Sequence, residues 1–376
     1  MNAHHAVVDV HILQTVPPSC LNRDDTNSPK TALYGGARRA RVSSQSWKRA
    51  TRRYFNEHRP DDGHGVRTRK LPEMLAERIR ERLGSRAADN EAGIIELANR
   101  ASGLLVGVKP EKVKKMAESK ELVDLEYALF ISSSAIESTL DQLEAAIDGQ
   151  DLDTEALKSA MGRGHSLDVA LFGRMIADTP GLNVDAACQV AHAISTHQVS
   201  TEFDFYTTVD DLAGADESGA AMMGYVEFNS ATLYRYATIS LGNLADNLGD
   251  PSAVPTGVRA FVEGFVRSLP TGRQNTFGAM TSPDLVFVSL RTDQPVSLVG
   301  AFEAPIEAAG GYVAASARQL AAHATHVDLL YGTPRALGWA SYMPGVGDLS
   351  EHLGASLPFP ELLDRVEGAA RAQIVS

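Results

Sequence analysis

The chain has 376 residues, 44% hydrophobic and 22% charged, with a formal net charge of −12 and only two cysteines, Cys20 and Cys188. Such a composition suits a globular protein with a sizeable core and gives no disulfide framework. No apolar run reaches the roughly 18 residues needed to span a membrane, and the start lacks a signal-peptide pattern, so a cytoplasmic protein without membrane contact is expected.

Net charge argues against a polyanionic partner, but its distribution reverses that reading. Through Phe55 the chain carries nine Lys and Arg against three Asp, a local +6 that leaves −18 for the remainder. A phosphate chain held in one local groove of an otherwise acidic protein fits this asymmetry. The alternative is a solvated helix face, the usual fate of a charge run.

In chain order, Ala6 to Val16 alternates as a first strand, with Val8, Val10 and Ile12 on one face and Pro17-Pro18 as its end. An irregular loop from Ser19 reaches the pair Gly35-Gly36, which permits positive φ, and a basic loop follows. Ser43 and Ser44 stand where a helix N-cap belongs. The helix they open stacks Lys48 with Arg52 and Arg49 with Arg53 at i, i+4, and turns Trp47, Ala50, Tyr54 and Phe55 inward. A serine-capped helix start beside forked arginines suits phosphate.

Residues 56–164 carry helical periodicity at Leu71–Leu83, Ile94–Leu105, Glu111–Glu118 and Ile136–Ile147, with one strand at Val123–Phe130. They read as a helical insertion with a scaffold role. Ser166–Ala177 reads as a second sheet strand and Val184–Ser195 as a helix. The mixed aromatic and polar stretch that follows, through Leu212, reads as a protruding excursion. Thr232–Leu241 is β-branched and aromatic enough for a central strand. Then come a helix at Val258–Leu269, the loop Thr271–Gly278, a strand at Leu285–Leu290, and helices at Ala314–Ala324 and Pro360–Ala372. The principal elements therefore run β-α-β-β-α-β, interrupted twice, an α+β class with a ferredoxin-like or RNA-recognition-motif-like centre.

Several separated stretches resemble one family. They are Ser19-Cys20-Leu21-Asn22-Arg23-Asp24-Asp25, Tyr34-Gly35-Gly36, Arg41 to Ala50, Ala170 to Met175, Ala191 to Val199 and Thr207 to Leu212, with a shorter match at Arg67-Thr68. Together they resemble CasC, the backbone subunit family of type I-E CRISPR Cascade within the RAMP superfamily. The resemblance implies a right-hand shape: a palm from 1–57, 166–179 and 224–295, helical fingers from 58–165, a thumb from 180–223, and a helical part from 296–376 completing the palm. It implies a guide RNA (crRNA) held by its backbone at Arg23, Lys30, Arg41, Ser43, Gln45, Lys48, Arg49 and Arg52. Arg174 and Met175 would lie beside the strand, with Met175 against bases, and Phe205 and Tyr206 would form a thumb wedge. The implied partners are crRNA, target DNA through the guide, further copies head to tail, and the large, small, repeat-processing and 5′-handle-binding subunits. No catalytic residue, metal or cofactor is implied.

Three constellations invite other chemistry. Asp24 and Asp25 could hold Mg²⁺ for phosphodiester cleavage, which related type III backbone subunits perform with an acidic loop residue. Cys188 and His192 at i, i+4 on a helix, with His197 beyond, could ligate zinc, although a fourth ligand is missing. No P-loop and no G-x-G-x-x-G after a strand occurs, so an ATPase or dehydrogenase is unsupported.

Overall fold

The computed structural model describes residues 6–60, 63–162, 164–176, 180–208, 222–332 and 335–375. In chain order its first elements are β1 (Val7–Ser19), β2 (Thr31–Tyr34), β3 (Ala37–Val42) and α1 (Ser44–His58). An inserted set follows: β4 (Val66–Thr68), α2 (Leu71–Leu83), α3 (Glu91–Leu105), α4 (Pro110–Ala117), β5 (Leu129–Ile131), α5 (Ser133–Ile147) and α6 (Thr154–Ala160). The chain returns through α7 (Leu167–Phe172), β6 (Cys188–Val190), β7 (Ala193–Ser195), β8 (Glu202–Thr208) and β9 (Met222–Ser240). It closes with α8 (Leu241–Leu248), α9 (Val254–Arg267), α10 (Gln274–Phe277), β10 (Leu285–Arg291), α11 (Val313–Tyr331), β11 (Leu337–Tyr342), α12 (Ser350–Leu353) and α13 (Phe359–Val375).

One antiparallel sheet organises the molecule, in the order β11-β10-β1-β9-β7-β3-β2, with β6 and β8 also pairing β9. β1 is an interior strand, Val10 facing Val288 of β10 on one side and Ala237 of β9 on the other. The alternation in β1 holds: Val8, Val10 and Ile12 enter a core with Trp47, Phe55, Phe261, Phe265 and Leu363 from α1, α9 and α13. The opposite face is buried as well. Leu13 joins Tyr234, Phe287, Phe302 and Leu320 beneath α11, and Asp9 and His11 are shut in beside them. Helices thus cover both faces of the sheet, which is a mixed α/β fold with helical insertions. The inserted helices pack a core of their own, from Leu71 to Leu182, around Leu75, Ile79, Ala98, Leu140 and Leu157.

Several sequence expectations are corrected. Pro17-Pro18 does not end β1, which runs on to Ser19 across a register shift between Val16 and Ser19; proline is tolerated at such an irregularity because the ladder already lacks a bond there. Residues 37–42 form a strand, not a loop, joined to β2 by a tight turn in which Gly35 and Gly36 take φ of 57° and 74°. Ser166–Ala177 yields the helix α7. The Asp168 carboxylate accepts from Ser166 Oγ (2.8 Å), Gly65 N (2.9 Å) and Val169 N (3.0 Å) and fixes the first turn, while Gly173, at φ 72°, ends it. Val184–Ser195 yields the strands β6 and β7, because β9 offers a long ladder that overrides a short helical period. These strands fill the sheet place expected of 166–177, and they lie inside the span expected as thumb. Val123–Phe130 is extended only at its end, where β5 pairs β4. The last segment is not wholly helical, since β11 forms one edge of the sheet.

Candidate nucleic-acid interface

Ser43 caps α1 with φ −68° and ψ 150°, its Oγ accepting from Ser46 N at 3.4 Å, while its own N–H donates to Asn22 Oδ1 at 2.9 Å. Trp47, Ala50, Thr51 and Phe55 are buried, so the helix can present only its remaining faces. No acidic residue stands in its first turn, which keeps the positive end of the helix dipole unopposed. Around this end, Arg23, Gln45 and Arg49 are exposed and Lys30, Arg41 and Lys48 are half-buried.

The loop before β2 holds these groups in place. Lys30 N donates to Asn22 O at 2.8 Å and Arg41 N to Lys30 O at 2.9 Å. Arg23 Nη1 reaches Asn27 Oδ1 at 3.1 Å, and Asn27 takes a φ of 69°, a conformation asparagine tolerates. Arg41 donates through Nε to Thr31 O at 3.3 Å, and its Nη1 lies 3.0 Å from His192 Nδ1. Partial burial and the cations Arg41 and Lys30 hold the His192 imidazole below its ordinary pKa, so it is neutral near pH 7. Lys48 Nζ sits 5.8 Å from the centre of the Phe172 ring.

Not every arginine of the basic run faces outward. Arg39 is fully buried and donates to the carbonyls of Ser195 (3.0 Å), Phe302 (2.9 Å) and Glu303 (3.2 Å). Arg52, expected to meet a backbone, points inward: Nε pairs with Asp168 Oδ2 at 3.3 Å, Nη2 donates to Gly65 O at 3.1 Å, and the guanidinium lies 4.2 Å from the Phe130 ring centre. Arg174, expected beside it, is buried among the carbonyls of Met161 and Leu182, and that burial pulls its pKa down to about 10. Its neighbour does the opposite. Met175 is 83% exposed, a large apolar side chain with no core to fill.

The excursion is a hairpin of β8 and the start of β9. Phe205 and Tyr206 are consecutive in a strand and point to opposite faces, so they do not form one wedge. Phe205 faces Tyr225, with ring centres 5.2 Å apart, and shares its face with Phe203 and Met223, all four exposed. Tyr206 stands on the other face, alongside Glu202 and Asp204. From Thr201 to Phe228 the sequence holds seven acidic residues and no Lys or Arg. Most of Thr207 to Leu212 lies outside the described residues.

The competing chemistries do not assemble. Asp24 Oδ1 accepts from Thr26 N, Thr26 Oγ1 and Ser28 N and so builds its own loop, while Asp25 is exposed beside it. Cys188 is on a strand and buried, which pushes its thiol far up, and His192 is at the surface on Arg41. His197 stacks on Tyr312 at 3.7 Å between ring centres; its Nε2 accepts from Thr232 N and its Nδ1 donates to Gln198 O. Among the described residues no group of three or more His, Cys, Asp or Glu could hold a metal ion, and no helix is long and apolar enough to cross a membrane.

Sequence reasoning placed His192 in a zinc set and not beside Arg41, and it missed Phe203, Tyr225 and a trough on the far side of α1. That trough, of about 980 Å³, is open to solvent and lined by Arg23, Arg49, Arg53, Arg267 and Arg273. The basic run contained part of that signal; Arg267 and Arg273 lie more than 200 residues away and are joined to it only by folding.

No curated protein matches the chain. One solved chain, from a structure described as a CRISPR RNA-guided surveillance complex, pre-nicking, superposes with a TM-score of 0.83 at 32% identity, covering 97% of this chain and 100% of that one. A second, from a CRISPR RNA-guided surveillance complex, gives a TM-score of 0.63 at 28% identity over 97% and 99%. Residues 8–360 match the family described as CT1975-like protein. By that match the chain belongs to the CT1975-like protein family.

Proposed function

We propose that this protein is the repeated, guide-RNA-binding backbone subunit of a type I-E Cascade-like surveillance complex, acting in cytoplasmic antiviral defence by binding and not by catalysis. One observation carries the reading. On a chain of net charge −12, Lys30, Arg41, Lys48 and Arg49 gather around a capped helix start free of acids, with Met175 standing 83% exposed after α7. Cations and backbone N–H groups at a helix start suit phosphate oxygens of any sequence. A bare thioether suits any base face, because it adapts without reading hydrogen-bonding edges. The similarity to chains of RNA-guided complexes supports the same partner.

On this reading the large sheet with α1 and α9 is the palm, the core from Leu71 to Leu182 the fingers, and the β8–β9 hairpin the thumb. The thumb is acidic and repels phosphate, so its aromatic face, Phe203, Phe205 and Tyr225, is the part that meets bases or a neighbouring copy. Copies repeat head to tail along one guide, a heterologous contact that does not close. The remaining partners are target DNA paired to the guide and the large, small, repeat-processing and 5′-handle-binding subunits. Purification from cells carrying a CRISPR array tests the proposal: a guide RNA should come with the protein, and its loss across all preparations would sink the reading. Incubation of that RNA with Mg²⁺ should leave it intact.

A further inference from the structure

We infer that the open trough between α1 and the 267–274 loop is a second phosphodiester-binding channel, in which Arg53, Arg267 and Arg273 grip the backbone of a nucleic-acid strand. The inference rests on the proposed nucleic-acid partner but concerns another face of α1: the trough shares Arg23 and Arg49 with the helix-start site and adds Arg53, Arg267 and Arg273. Lys48 looks toward Phe172, whereas Arg49 and Arg53 line the trough.

Five arginines from three separate parts of the chain converge there, and the lining contains a single carboxylate, Glu57. On a chain with 47 acids and 35 bases, that ratio is the reverse of the average surface. Two of the arginines have partial answers at the rim: Arg53 pairs with Glu57 and Arg267 with Glu263, both at 3.2 Å and at i, i+4. Exposed pairs of this kind contribute little and exchange readily for a better anion. Arg273 is different. Its backbone is left-handed at φ 47°, one of two non-glycine residues so placed among those described, and its Nε is buried without a hydrogen-bond partner. An unusual backbone and an Nε without a protein partner, in a residue that lines the trough, suit a group held for a ligand.

The loop that carries it is anchored. Gly272 packs against the carbonyls of Cys20 and Leu21 so closely that any side chain would collide with them. Arg53 Nη1 donates to Thr271 Oγ1 at 3.2 Å, joining the loop to α1. An open trough whose floor is fixed and whose walls are forked cations fits a strand passing through, since guanidinium and phosphate pair in bidentate fashion. Two strands have that chemistry, the guide itself continuing past the helix start and a strand paired to it.

The test uses the full-length protein, a mixed-sequence single-stranded RNA oligonucleotide and its complementary DNA. Affinity is measured against salt for wild type, Arg267→Gln, Arg53→Gln, Arg273→Gln and Lys48→Ala. Because residue 273 holds a left-handed backbone at φ 47°, the first two variants carry the test if the third fails to fold. Each trough variant should lower the slope of log affinity against log salt by about 0.7, the value for one phosphate on a single strand. If the fall is seen with RNA alone, the trough holds the guide. If it is seen only when complementary DNA is added to the protein–RNA complex, the trough holds the second strand. Unchanged slopes in both arms, with a reduced slope for Lys48→Ala, would overturn the inference and leave the proposed function standing. If wild type bound no RNA at all, both would fall.

Discussion

Arg52→Ala and Lys48→Ala, four residues apart on the same helix, should behave as different kinds of mutation. The Arg52 guanidinium is tied to Asp168 at 3.3 Å, to Gly65 O at 3.1 Å and to the Phe130 ring at 4.2 Å, with its side chain 20% exposed and that of Asp168 1% exposed. Removing it deletes the charge-assisted hydrogen bond to Asp168, about 1.5–3 kcal/mol, the hydrogen bond to Gly65 O, about 1 kcal/mol, and one ring contact of about 0.5–1 kcal/mol. Asp168 keeps its donors from Gly65, Ser166 and Val169, which spares it the full penalty of an unpaired buried charge. A net loss of about 3–5 kcal/mol follows, and for a chain of this size it should lower the thermal midpoint by several degrees. Lys48 has no such ties, only a ring at 5.8 Å. Lys48→Ala should leave the midpoint unchanged and lower the RNA salt slope by about 0.7. Differential scanning fluorimetry and fluorescence anisotropy on one set of preparations decide the matter. An Arg52→Ala protein that melts like wild type and loses as much salt slope as Lys48→Ala would place Arg52 on the RNA and not on Asp168.

Three further outcomes are expected. Met175→Ala should weaken binding to single-stranded RNA by about 0.3–1.5 kcal/mol, whatever the base composition, with no change in melting, because the side chain supports no core; filter binding to homopolymers checks it. RNA affinity should rise as pH falls from 7 toward 5, since the depressed His192 imidazole gains a proton when phosphate offsets Arg41 and Lys30. His192→Ala should flatten that rise in anisotropy titrations. Burial raises the Asp9 carboxyl from 3.8 to about 6. The folded state therefore holds the extra proton between those values, and stability falls as pH climbs through them, by about 3 kcal/mol at most. Thermal midpoints across that window should show the fall for wild type and less of it for Asp9→Asn.

What could be read from the sequence was local. The Ser43 cap, the inward Trp47 and Phe55, the helix at Leu71–Leu83 and the strand at Leu285–Leu290 rest on spacing within one segment, and all stand as expected. Residues 166–177 and 184–195 could not be read that way. Both are short apolar runs whose state is set by distant partners, Gly65 for the first and β9 for the second. The fate of individual arginines is equally non-local. Arg39 is a core residue because the carbonyls of Ser195, Phe302 and Glu303 meet there. Arg38, one position earlier, is exposed and donates only to Thr31 at 3.0 Å. Nothing in a run of basic letters separates the two, and the same applies to Arg174 beside Met175.

On the proposed reading, RNA is held by its phosphates with its bases unread. The most direct measurement is the affinity of the purified protein for a panel of single-stranded RNAs of equal length and different sequence, each across a range of salt concentrations. One common slope is expected, with affinities that agree within a few-fold. A strong preference for one sequence, or binding that does not weaken with salt, would contradict it.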